Sequence, residues 1–362
     1  MAATVESLLS ACKDGDMGRV GISQGHFIVD EDGDLVPYEG YNGRLGLEDI
    51  MEALAEFFTQ VQRNDEGKIL GCSRQLSSVA LGLGGQVVVS VEPQLNLSAL
   101  ESEYKNVMFR LEQILEPVEY SVVVCGYLPR GSVTELVPVP NPQLQALEDE
   151  LGEGALPLLR GAAGCRLMLE YADEADAVRK LRVATLLGPV LAALTENTPV
   201  FEDDPSVNLL AGMVLRRSAC EERGGTVPGL FSPDFGFEAF AAWSEQGFEC
   251  ADAVLQEGVL LRLGDALPGK VAIGYAALLK GLFYGPVSLE LLEHFLGLEE
   301  GALPYDDASV EKTVNAIEAE GMSAKVYGRT ADEWVDLLLR IAPEGLGTES
   351  ASLEPLREFR GY

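Results

Sequence analysis

Val79-Ala-Leu-Gly-Leu-Gly-Gly-Gln-Val-Val-Val-Ser90 is the stretch on which the reading of this chain turns. Its second half, Gln86 to Val91, alternates. Successive side chains on a strand face opposite ways, so Gln86, Val88 and Ser90 share one face and Val87, Val89 and Val91 the other. A Gly-Gly pair running into β-branched residues reads as a loop that delivers a buried strand. The sequence thus places one strand over 79–91. Polar groups inside a core need partners, so the Gln86–Ser90 face reads as the lining of a cleft or of a hydrogen-bonded network.

Upstream, residues 4–17 read as a short helix and Arg19 to Val29 as a strand. Asp30-Glu-Asp-Gly-Asp34 then turns the chain into a return strand, Leu35 to Tyr38, since Asp-Gly between apolar runs signals a hairpin. The acidic cluster lacks the spaced ligands and the twelfth-position Glu of a calcium loop, so it reads as a plain turn. Leu47 to Gln62 carries Ile50, Leu54, Phe57, Phe58 and Val61 at helical spacing. Downstream the pattern gives a helix over 97–115, a strand over 120–127, a helix over 143–151, a strand over 164–171 and a long helix over 174–195. From Val271 onward it is mostly helical, over 271–283, 287–297, 307–320 and 331–341. Strands separated by helices, with helices gathered at the end, favour an α/β or α+β fold. One composite domain spans 1–362, mainly helical from about 271.

Bulk properties narrow the function. With 58 acidic residues against 26 basic ones the formal charge is −32, which repels phosphate backbones and argues against nucleic acid. No apolar run is long enough to span a membrane. The six cysteines, at 12, 72, 125, 165, 220 and 250, show no zinc or iron–sulfur spacing. Read as free thiols behind an N-terminus without signal-peptide features, they point to the cytoplasm. Only His26 and His294 are histidines. His294 reads as a partly exposed helix residue, and a histidine-based triad is improbable.

Several segments, in order from about residue 19 to 345, resemble the glutamate–cysteine ligase family of plants and many bacteria. The opening stretch resembles that family's S-L-E-P-G-G-Q-x-E-L-S. Glu170-Tyr-Ala-Asp-Glu-Ala-Asp-Ala-Val-Arg-Lys-Leu-Arg182 and Leu194-Thr-Glu-Asn-Thr-Pro-Val-Phe-Glu202 resemble its next two motifs. Arg223-Gly-Gly-Thr-Val-Pro-Gly-Leu-Phe231, Asp234-Phe-Gly-Phe237 and Arg262-Leu-Gly-Asp-Ala-Leu-Pro268 resemble the later ones. The resemblance implies a glutamine-synthetase-like catalytic fold, with a curved, mainly antiparallel sheet backed by helices. It also implies an ATP-dependent reaction in which the glutamate γ-carboxylate is phosphorylated and the cysteine amine displaces the phosphate. Mg²⁺ would then sit between nucleotide phosphates and protein carboxylates, and cations would stabilise the transferring phosphoryl group.

The departures fall on that machinery. The family's G-x-E-x-E-x-F aligns with Gly21-Ile-Ser-Gln-Gly-His-Phe27, and its two later glutamates fall on Gly82 and Val88. Four expected carboxylates are thus Ser23, Gly25, Gly82 and Val88. The family's P-K-x-R-Y aligns with Pro140-Asn-Pro-Gln-Leu144, its Q-x-N with Arg166-Leu-Met168, and its I-W-x-x-x-D near Leu215 to Cys220. Gln86, Ser90, Arg223, Arg262 and Asp265 remain at matching polar positions. With Arg166, whose guanidinium is suited to a carboxylate, they are the candidate cleft residues. Glu92 is the best stand-in for a metal carboxylate. Each lost group is expected to cost about 10²–10³ in rate, by analogy with deleted transition-state donors. The chain therefore reads as a family fold whose ligase chemistry is impaired or lost, using Mg²⁺ and ATP only if activity is retained. The alternatives are a binding or regulatory partner of an active ligase, holding an amino acid or nucleotide, and a different chemistry with Cys125, Cys165 or Cys220 as nucleophile.

Overall fold

Ten residues, Val20–Val29, form β1, the strand against which the largest sheet of the computed structural model is assembled. The structure describes every residue except 1, 2, 16, 207, 221, 222, 248, 249, 286, 299–302 and 362. Before β1 lies α1 (Val5–Ala11), capped by Thr4, whose side chain accepts from the Ser7 amide. After it come α2 (Leu47–Ala55), β2 (Gln60–Arg63), β3 (Ile69–Arg74), β4 (Ser77–Leu81) and β5 (Val87–Gln94). Then follow α3 (Leu97–Leu115), β6 (Ser121–Val123), α4 (Pro142–Leu151), β7 (Gly164–Leu169) and α5 (Glu174–Leu194). The second half holds α6 (Ala211–Ala219), α7 (Phe237–Ser244), β8 (Ala253–Leu255) and β9 (Val259–Asp265). It ends in α8 (Gly269–Tyr284), α9 (Ser288–Leu296), α10 (Asp307–Glu320), α11 (Ala331–Leu346) and α12 (Glu354–Arg360).

The nine strands pair in the order β8-β9-β7-β1-β5-β4-β3-β2, with β6 also on β1, and each pairing is antiparallel. This is an α+β fold, an antiparallel sheet backed by helices. Alternation decides its two faces. Val87, Val89 and Val91 of β5, Cys165, Leu167 and Leu169 of β7, and Leu261 and Leu263 of β9 are buried in one core with α3, α5 and α8. Burying each such aliphatic side chain contributes about 1.5–3 kcal/mol. The opposite face carries Ser23, Gly25, Val88, Ser90, Arg166 and Arg262. Among the described residues no single helix is long and apolar enough to cross a membrane.

Three sequence expectations change. The strand placed over 79–91 is a hairpin: Gly82 N–H donates to Gln86 O at 2.8 Å and Gly85 N–H to Gly82 O at 3.1 Å. Gly85 sits at φ +87°, in the left-handed region, and a Cβ on Gly84 would lie 2.0 Å from Arg160 O, so glycine at both positions makes the turn. The helix over 47–62 stops at Ala55, and Phe57 and Val61 are exposed on the way into and along β2. The return strand over 35–38 reduces to one bridge, Val29 to Leu35. Asp30 does close a plain turn, its Oδ1 accepting from the Asp32 and Asp34 amides at 3.0 Å each.

Cys220 and Cys250 are disulfide-bonded, so the expectation of six free thiols does not hold. The bond ties the end of α6 to the approach to β8, a pairing 30 residues apart that no spacing motif announces.

Candidate functional site

The registers bring the expected metal positions together. Ser23 of β1 faces Ser90 of β5 on one side and Arg166 of β7 on the other, while Gly25 faces Val88. Ser90 Oγ donates to Ser23 Oγ at 2.8 Å. Over this face lies a cavity of about 410 Å³ lined by Ser23, Gly25, Gly82 and Val88, all four positions where the family pattern expects a carboxylate. It is roofed by Leu144 and Leu147 of α4 and by Leu158 and Leu159, with Arg216 of α6 at one wall. An adjoining groove shares Ser23 and Arg166 and adds Ser90, Glu92, Glu170 and Glu257.

Gln86 lines the cavity but is fully engaged. Its Oε1 accepts from Gly84 N–H at 3.0 Å, and its Nε2 donates to Arg160 O at 2.9 Å and Ala162 O at 3.1 Å. It clamps the hairpin to the 157–161 turn. A Cβ on Gly82 would lie 2.5 Å from Gln86 Oε1, so the amide occupies the space that a side chain at 82 would need.

The other candidates divide. Arg166 and Arg262 line the cavity. Arg223 and Asp265 do not appear in its lining. Arg223 stacks on Trp243 and donates to Trp243 O at 3.0 Å and Gly247 O at 2.9 Å, closing the end of α7. Asp265 accepts from Asn197 N–H at 2.9 Å and Thr198 Oγ1–H at 2.8 Å through one oxygen. Burial raises its pKa, against those two hydrogen bonds. The preserved Asn197-Thr198 and Asp265 motifs therefore meet each other in a structural knot beside the sheet.

The thiols offer little nucleophilic chemistry, because the thiolate is the reactive form. Burial pushes Cys125 up to about 11 and Cys165 higher still, and Cys220 is in the disulfide.

Sequence reasoning missed Arg216. It belongs to the Leu215–Cys220 segment, where attention went to the lost tryptophan and aspartate, yet two adjacent arginines on an otherwise apolar helix are a visible signal. Asp252 turns Oδ2 to Arg217 Nη2 at 2.8 Å and leaves Oδ1 3.5 Å from Arg216 Nε. Arg216 Nε and Nη2 are buried donors without a hydrogen-bond acceptor among the described residues.

Mg²⁺ requires hard oxygen ligands, usually including carboxylates. The described lining of the cavity contains no carboxylate, and no group of three or more His, Cys, Asp or Glu among the described residues is placed to hold a metal. In the adjoining groove Glu170 is taken by the Gly18 and Arg19 amides and the Arg19 guanidinium. The described residues do not fit the ion.

Sequence comparison relates the chain to glutamate–cysteine ligases. It matches tomato (Solanum lycopersicum) chloroplastic glutamate–cysteine ligase at 24% identity over 240 residues, 66% of this chain and 45% of that one. It matches glutamate–cysteine ligase A of Oryza sativa subsp. japonica at 24% over 243 residues, 66% of this chain and 48% of that one. The chain spans about half the length of these curated relatives. The model of glutamate-cysteine ligase family 2 (GCS2) matches residues 27–247, more than half of the chain, and the chain belongs to that family. Ser23, Gly25, Arg262 and Asp265 lie outside the matched span. Among solved structures, the complex of the ubiquitin-like protein Pup with its ligase PafA aligns with a TM-score of 0.44 and 14% identity, over 99% of this chain and 64% of that one. GmaS without ligand aligns at 0.40 and 12%, over 99% and 71%.

Proposed function

We propose that this chain is a glutamate–cysteine ligase family member that has given up Mg²⁺-ATP ligase chemistry and keeps the inherited cavity for binding a small molecule. One observation carries the reading: Ser23, Gly25, Gly82 and Val88 converge on a single cavity whose described lining has no carboxylate. Phosphoryl transfer in water needs its metal held and its developing charge neutralised. Here the four positions supply one neutral serine hydroxyl and no anionic oxygen for a hard divalent ion.

The test is to incubate the full chain with ATP, millimolar Mg²⁺, glutamate and cysteine, and to measure phosphate and dipeptide. No release above the buffer blank is expected, and none that depends on both amino acids. Phosphate release requiring glutamate and cysteine together overturns the reading.

A further inference from the structure

The chain has more than twice as many acidic as basic residues, 58 against 26, yet the charged side chains among the cavity's described lining residues are Arg166, Arg216 and Arg262. That local reversal of the global composition has a physical cost. Asp252 serves Arg217 at 2.8 Å and reaches Arg216 only at 3.5 Å, while Arg217 has Glu311 as a second partner at 2.5 Å. Arg216 Nε, which faces Asp252 Oδ1 at 3.5 Å, and Nη2 are buried donors with no hydrogen-bond acceptor among the described residues, and a buried donor left unmatched is destabilising. Burial also lowers the pKa of Arg216, which means that the surroundings resist its charge. An anion placed in the cavity would set a further counter-charge beside the Arg216 guanidinium, which burial disfavours. Apolar side chains share the lining: Leu144 and Leu147 of α4, and Leu158. The volume, about 410 Å³, is that of about a dozen waters, more than a bare inorganic anion fills.

We propose that this cavity binds a small amphiphilic anion, its carboxylate or phosphate head on Arg166, Arg216 and Arg262 and its apolar body against Leu144, Leu147 and Leu158. Two of the three arginines stand where the family pattern has other residues, so the site is this chain's own. The inference rests on the reading above in one respect: the cavity is not given over to a metal–nucleotide complex.

Calorimetric titration of the full chain with octanoate in about 0.15 M NaCl, where long-range repulsion from the acidic surface is largely screened, should give saturable one-to-one binding and a raised melting midpoint. Octylamine, of the same length and opposite charge, should not bind, and acetate should bind far more weakly. Arg216→Met should weaken octanoate about tenfold or more, the loss of a charge-assisted pair. Arg166→Gln and Leu147→Asn, on a strand face and an outer helix, test head and tail should Arg216→Met fail to fold. Octyl phosphate in parallel separates the two head groups. The proposal is overturned by absence of saturable octanoate binding to folded protein, by octylamine or acetate binding as tightly, or by variants that leave octanoate affinity unchanged. Glutamate- and cysteine-dependent phosphate release would remove the preceding reading alone, because octanoate binding is measured without nucleotide.

Discussion

Burial of His26 between β1 and α3 pushes its pKa down to about 4, desolvation outweighing the hydrogen bonds it makes. Its ring nitrogens lie 3.0 Å from Val87 O and 2.7 Å from Tyr104 Oη, and Gln24 Nε2 donates to the same Tyr104 oxygen at 2.7 Å. One neutral tautomer satisfies all three: Nδ1–H donates to the carbonyl, and Tyr104 O–H donates to Nε2. In the unfolded chain a histidine titrates near 6.5. The folded pKa is the lower one, so the unfolded state binds the extra proton, and stability is lost as pH falls from about 6.5 towards 4. Between pH 7.5 and pH 5 this one residue should cost about 2 kcal/mol. Urea unfolding at both pH values, wild type against His26→Gln, isolates it from the many carboxylates. Equal losses in the two proteins would contradict the assignment. The Gln24–His26 pair was legible as two polar residues on a strand's apolar face, but its partner Tyr104, 78 residues on, was not. Gln86 reads as lining a cleft or a hydrogen-bonded network and does both, but nothing local announces that the Arg160 and Ala162 carbonyls arrive opposite its amide. Gln86→Ala should lower stability by about 1–3 kcal/mol, the cost of unmatched buried groups. A change below about 0.5 kcal/mol, within the scatter of ordinary surface substitutions, would show that solvent replaces the clamp.

At the scale of elements, periodicity located α3 and α5 to within a residue at each end and the start but not the end of α11, which runs on to Leu346. Thr330 and Glu333 form a capping box at the start of α11, with Glu333 N–H donating to Thr330 Oγ1 at 3.1 Å and Thr330 N–H to Glu333 Oε2 at 2.8 Å. The helix carries the fully buried Trp334 and packs on α8. Thr330→Ala should therefore cost about 1 kcal/mol, read as a lowered urea midpoint with unchanged slope. A neutral result would mean that water caps this end equally well. Periodicity failed where two short strands mimicked one element. Phe57 and Val61 continue the spacing of Ile50 and Leu54, yet they belong to the chain leaving α2 and to the edge strand β2, which is exposed along its length. Residues 79–81 and 87–91 read as one strand because both are apolar. The turn between them depends on a close approach of Gly84 to Arg160 that sequence does not display.

For the molecule as a whole, alternation and helix spacing left α/β and α+β open, the sheet backed by helices followed from the family resemblance, and the convergence of Ser23, Gly25, Gly82 and Val88 followed from aligned motifs. Of the three cavity arginines, Arg166 and Arg262 were named from the motifs, whereas Arg216 was not, because α6 reaches the sheet face from a distant part of the chain. The net charge of −32 sets a global expectation. Most carboxylates have no basic partner available, and exposed pairs contribute at most about 1 kcal/mol each. Self-repulsion should dominate the salt response. The melting midpoint should rise by a few degrees between low and high NaCl, as calorimetric scans would show. A midpoint that falls with salt would mean that ion pairs outweigh repulsion.

The crowding around Gly82 and Gly25 has an evolutionary consequence. A side chain at 82 meets the Gln86 amide, and one at 25 meets Ala163 Cβ at 3.1 Å. A carboxylate returning to position 82 must first dislodge an amide that holds a hairpin in place, and one at 25 must push Ala163 aside. Reversion by single steps would pass through intermediates that lose stability before they regain any chemistry. On the loss of ligase chemistry proposed above, descent into the present cavity would behave as a ratchet, with a carboxylate site more readily duplicated from a relative that has one than rebuilt here.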